Sequence, residues 1–251
     1  MAMAFMTLFQ REIKSFFVSP IAYILLFSCS LINGASFVFW LNYITINNIK
    51  EFTLLQACMN AFFFWFLLLV QVPVLTMRSF SEEYKLGTIE MILTAPVREW
   101  ELVLSKFFGS FCFFVVLWLP MFLYLGVLRI VYGHSLGMSV GMIVMPFLML
   151  FLIGMFFISI GIFISSLTKN QIVAAILSFA LIFLIFSLSF LIYLGIGGQT
   201  REMISYLSFL DQMDTFSRGI FDSRPVVLLL SVTFLFLFLT ERVLEWRRLR
   251  E

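Results

Sequence analysis

The run MSVGMIVMPFLMLFLIGMFFISIGIFISSL, Met138 to Leu167, contains no ionisable side chain. A helix of about 20 apolar residues, rising 1.5 Å per residue, crosses the roughly 30 Å hydrocarbon layer of a bilayer. This run is long enough to span and to tilt. Five more apolar runs occupy residues 20–41, 54–77, 107–128, 172–196 and 225–240. Hydrocarbon offers no partner to backbone N–H and C=O groups, so spans that satisfy themselves must be helical or form closed barrels. Runs of this length select the helix. The expectation is an all-α membrane protein with six transmembrane helices in one domain over residues 1–251.

Composition agrees with that reading. The chain is 62% hydrophobic and 12% charged with mean hydropathy +1.07, against about 25% charged in soluble domains. A soluble globule is excluded. The net charge of +2 and the scatter of the basic residues give no groove for nucleic acid. The first apolar run is too long for a signal-peptide core and is expected to stay in the membrane.

Residues 4–17, AFMTLFQREIKSFF, set Phe5, Leu8, Phe9, Ile13, Phe16 and Phe17 largely on one side of a helix and Gln10, Arg11 and Lys14 on the other. This pattern predicts an amphipathic helix lying in the membrane interface. Pro20 suits the first turn of the next helix. With both termini on one side, that side carries eleven of the 16 Lys and Arg residues and the other five. The positive-inside rule then places both termini in the cytoplasm of a bacterial inner membrane protein.

Several motifs invite chemistry. Gly133-His-Ser-Leu-Gly137 fits G-x-S-x-G, but the chain has 1 His, and it adjoins the serine it would have to activate. Gly133, Gly137 and Gly141 suit close helix packing instead. Met138, Met142, Met145 and Met149 share a helix face; without Cys or His beside them they read as packing and not as a copper path. Cys29, Cys58 and Cys112 lie singly inside apolar runs and read as small buried hydrophobes. No metal site is expected. The sequence contains no G-x-x-x-x-G-K-[ST] loop for nucleotide.

The charged interval between Arg78 and Lys106 stands apart. Ser79-Phe-Ser-Glu82 fits a capping box, and Thr94-Ala-Pro96 a stop, so a short bent cytoplasmic helix is expected within 79–100. Leu86, Ile89, Met91, Ile92 and Leu93 would rest on the spans, leaving Glu82, Glu83, Lys85 and Glu90 as polar handles. A solvated loop that merely fixes topology is the competing reading. Asn33, Gln56, Asn60 and Gln71 lie inside spans and are expected to face the bundle interior, where a substrate path would run. Asp211, Asp214, Arg218 and Asp222 cluster before the last span, either at an exit or as local salt bridges.

The run EEYKLGTIEMILTAPV, Glu82 to Val97, resembles the signature of permeases of ABC type-2 exporters: a Glu pair, a Gly-Thr-hydrophobic-Glu core and a Pro-Val. The likeness extends over nearly the whole chain and looks closest to the gliding-motility-associated and copper-enzyme-maturation permeases. It implies a coupling helix at 79–100, with Glu82, Glu83, Gly87, Thr88, Glu90 and Pro96 receiving ABC ATPase subunits. It also implies a re-entrant outer segment at 201–223. The implied partners are the ATPases, a second permease copy or homologous permease, membrane lipids, and in some systems a periplasmic or auxiliary membrane subunit, with no nucleic acid. ATP and Mg would sit on the partner ATPase, and this chain would bind no cofactor and catalyse nothing itself. The expected role is export of a substrate whose class stays open among lipid, glycan, peptide, drug and copper species. The alternative is a force-transmitting subunit without cargo. A secondary transporter would need intramembrane charge and inverted repeats, which are not evident.

Overall fold

The computed structural model describes residues 2–47, 53–88, 98–132, 140–189 and 208–248. The described elements are helical: α1 (Ala2–Val18), α2 (Pro20–Asn47), α3 (Leu54–Asn60), α4 (Phe62–Thr76), α5 (Ser81–Leu86), α6 (Glu99–Tyr132), α7 (Val140–Leu167), α8 (Gln171–Ser187), α9 (Phe209–Ser217) and α10 (Ser223–Arg248). Five are long and apolar enough to cross a membrane, carried by α2, α4 with the turn and α5 that follow it, α6, α7 and α10. The shorter apolar α8 has 17 residues, roughly 26 Å of helix. The expected remainder of that span, 190–196, lies outside the described residues.

α7 sits at the centre. It packs on α4, α6, α8, α9 and α10, while α1 lies along α6 and α2 bridges α4 and α6. Lipid tails are as apolar as leucine, so helices in a bilayer associate through close van der Waals packing more than through burial. The glycines of α7 supply it. A Cβ on Gly154 would come within 2.3 Å of the Phe114 ring, and one on Gly161 within 2.0 Å of Thr76 Oγ1. Around these crossings Trp65, Phe64, Trp118, Phe186, Phe156, Phe157 and Phe209 pack ring to ring. The prolines inside α4, α6 and α7 are tolerated because neighbouring helices cover the backbone groups they free.

Several boundaries differ from the sequence reading, beginning with α2, which runs on to Asn47 instead of ending at 41. The second span is broken: α3 ends at Asn60, and Ala61 takes an extended conformation (φ −65°, ψ 144°) before α4 begins. Thr53 caps α3 through Gln56 N. The third span starts earlier, since 99–106 belongs to α6, taking in the last two residues of the expected coupling helix, 99–100. The last helix runs beyond 240 to Arg248, because Glu241, Arg242 and Glu245 are exposed or half-buried at its end and cost nothing there.

Candidate coupling site

α5 is the described part of the expected coupling helix. Its start is not the capping box read from Ser79 and Glu82. Phe80 is the N-cap residue, in an αR conformation, with no side-chain cap of its own. The missing acceptor comes from α7: Ser165 Oγ accepts from Phe80 N at 3.0 Å and from Ser81 N at 3.2 Å. The Ser165 hydroxyl in turn donates to Met77 O at 3.2 Å, and Ser81 Oγ also donates to Met77 O. The first turn of the elbow is therefore tied to the central span. At its other end Gly87 closes the helix at φ 69°, a left-handed conformation that glycine adopts without steric cost.

Beneath α5 lies a charge cluster. Lys106, on α6, is 2% exposed, and its Nζ pairs with Glu12 Oε1 of α1 at 2.8 Å and with Glu83 Oε1 of α5 at 2.9 Å. The ammonium also lies 5.1 Å from the centre of the Phe80 ring. Gly109, one turn along α6, makes the α1 approach feasible, because a Cβ there would stand 2.9 Å from Glu12 Cβ. Three elements, α1, α5 and α6, thus meet on one cation. The C-terminal helix joins from outside: the Arg247 guanidinium lies 4.3 Å from the centre of the Tyr84 ring and donates to Leu167 O at 3.1 Å, and Arg248 pairs with Glu99.

The expected handles separate accordingly. Glu83 is not an exposed handle; it is buried and turned to Lys106, because an unpaired ammonium in that position would be costly. Glu82 stays at the surface, loosely opposite Arg78 at 4.0 Å. Lys85, Leu86 and Gly87 are exposed and Thr88 is half-buried, with its hydroxyl donating to Glu83 O. Glu90 and Pro96 lie outside the described residues, as do Gly133, Gly137 and Met138.

The amides expected along a substrate path fall into two groups. Gln56 and Asn60, on α3, donate to Asp214 Oδ1 of α9 at 2.7 and 3.3 Å, and Asp214 Oδ2 pairs with Arg218 at 2.6 Å. Gln56 and Asn60 from one set and Asp214 and Arg218 from another, read separately from the sequence, thus form one polar cluster, with Trp40 beside it. Asn33 and Gln71 lie elsewhere, buried in the bundle. Asn33 Nδ2 donates to Cys29 Sγ at 3.2 Å, and Cys29 donates to Leu117 O at 3.2 Å. The Gln71 amide, 1% exposed, lies against the same Cys29 thiol. Of the other residues clustered before the last span, Asp222 accepts from Arg224 N at 2.9 Å as α10 begins, and Asp211 lies in the first turn of α9, which Ser208 caps. Met142 and Met145 are half-buried and Met149 is buried in the core. Among the described residues no group of His, Cys, Asp and Glu is arranged to hold a metal ion.

Sequence reading missed Glu12, Lys106, Ser165 and Arg247 as members of the site. Lys106 had a legible signal. At helical spacing it shares the inward stripe of Leu102, Val103, Ser110 and Phe113, and a lysine on a core stripe demands a buried anion. A comparison with curated proteins finds no match to this chain. The family described as "ABC-2 family transporter protein" matches residues 3–244. That match takes in α1, the elbow, the spans and nearly all of α10, and the chain belongs to the ABC-2 family of transporter proteins.

Proposed function

We propose that this membrane subunit dimerises and exports a substrate using ATP hydrolysed by a separate ABC ATPase, which docks on the elbow that begins with α5. The observation that carries the reading is the way the elbow is joined to the spans. One face is fastened to α7 through Ser165 and to α6 and α1 through Lys106, while Lys85 and Leu86 are exposed, Leu86 at 67%. An exposed leucine next to Lys85 and one turn from the half-exposed Glu82 suits a docking patch whose centre is apolar and whose rim is polar. A load applied there reaches three helices without an intervening loop, and two ATPase states that bind it differently would shift the bundle between two arrangements. Both termini and the elbow are placed in the cytoplasm on this reading.

The test is co-purification with the cognate ATPase from membranes. Leu86→Asp and Lys85→Glu are expected to lower the ATPase recovered while leaving the unfolding midpoint of the permease unchanged. Undiminished recovery with undiminished transport would overturn the docking role. ATPase activity stimulated by cargo supports export; stimulation by a partner protein alone would replace it with force transmission.

A further inference from the structure

We propose that the cleft between α1, α2, α4 and α5 binds a bilayer phospholipid carrying a phosphoethanolamine headgroup. The cleft encloses about 910 Å³ of empty space, part of it open to the surroundings. Its position selects a lipid. Ser19, at its mouth, immediately precedes the first residue of the first span, and Arg78 lies two residues beyond the end of α4. The mouth is thus at the level where spans leave hydrocarbon. Leu25 and Leu75 line the floor; Leu25 is five residues inside α2, about 7.5 Å deeper along the helix. A polar mouth at headgroup level over an apolar floor inside the membrane matches one molecule with both characters, continuous with the bilayer around it.

The charges select the headgroup. Lys106 pairs with Glu12 and Glu83, with Glu83 Oε2 left without a hydrogen-bond partner among the described residues, and Arg11, Arg78 and Glu82 line the cleft beside them. Arg78 is underused: its Nη1 donates to Ser19 Oγ at 3.0 Å, but its Nε is buried without a hydrogen-bond acceptor among the described residues, and Glu82 is 4.0 Å away, too far to serve as one. A phosphate between Arg11 and Arg78 would supply that acceptor. Glu82 beside it would repel a purely anionic headgroup and attract a primary ammonium. A phosphate and an ammonium on one short linker answer both sites at once.

The full-length permease, delipidated in detergent, is mixed with phosphatidylethanolamine, phosphatidylglycerol or phosphatidylcholine, and retained lipid is read by native mass spectrometry. Wild type is expected to retain phosphatidylethanolamine over both others. Arg78→Gln is expected to lower that retention about tenfold, and Arg11→Gln, on the exposed rim where folding is not at stake, to lower it in the same direction. Glu82→Gln is expected to remove the preference over phosphatidylglycerol. Equal retention of the three lipids by wild type would overturn the headgroup assignment. Unchanged retention in both arginine variants would overturn the site, and full competition by tail-less glycerophosphoethanolamine would overturn the bilayer source.

Discussion

Lys106→Met removes the shared cation of the Glu12–Lys106–Glu83 cluster and leaves two carboxylates facing one another under α5. Glu83 is buried and its side chain is 11% exposed, that of Glu12 18%, so water can rescue neither fully. Breaking a buried pair by removing one partner costs about 3–5 kcal/mol. For a chain of this size about 1 kcal/mol moves an unfolding midpoint by about 2–4 °C. The single variant is therefore expected to unfold about 6–20 °C below wild type. Replacing the whole cluster, with Glu12→Gln and Glu83→Met added to Lys106→Met, should restore most of that loss, because exchange of a buried ion cluster for neutral, well-packed groups is often close to neutral. The assay is thermal unfolding of the purified permease in one detergent, followed by tryptophan fluorescence. A midpoint within about 2 °C of wild type for Lys106→Met, or a triple variant no more stable than the single one, would refute the claim that buried charge, and not chain packing, holds the three elements together.

Ser165→Ala removes the acceptor for Phe80 N and Ser81 N, at about 1–3 kcal/mol for buried donors left unpaired; hydrogen exchange at those two amides should speed up while α7 amides keep their protection. Asp214→Ala strands Gln56, Asn60 and Arg218 together and should lower stability by about 1–3 kcal/mol. Asp214→Asn, which keeps an acceptor oxygen, should lower it less, as read by unfolding midpoints.

The spans were legible because their signal is cumulative: Met138 to Leu167 needs no partner information to be read as a membrane helix. The break at Ala61 was not, since Leu54 to Leu75 is uniformly apolar apart from Gln56, Asn60 and Gln71, and the interruption accompanies the packing of α3 against α9. Gln56, Asn60 and Asp214 were each recognised as out of place in an apolar chain, yet their meeting required contacts over more than 150 residues of sequence. The elbow was located by its charges and misassigned in detail. Ser79 and Glu82 fit a local capping rule, but Ser165 on another helix took that role, and Glu83 was drawn inward by a lysine that sequence counting had treated as a topology signal. Local rules fail where a distant element offers the better partner.

The central claim is that α5 meets an ATPase. A photo-crosslinking residue placed at Leu86, irradiated in intact cells, tests it directly. The account predicts an adduct that contains the ATPase subunit and that is lost when the same residue is placed at buried Met149. Adducts at Leu86 made only with lipid or with extracytoplasmic proteins would contradict it.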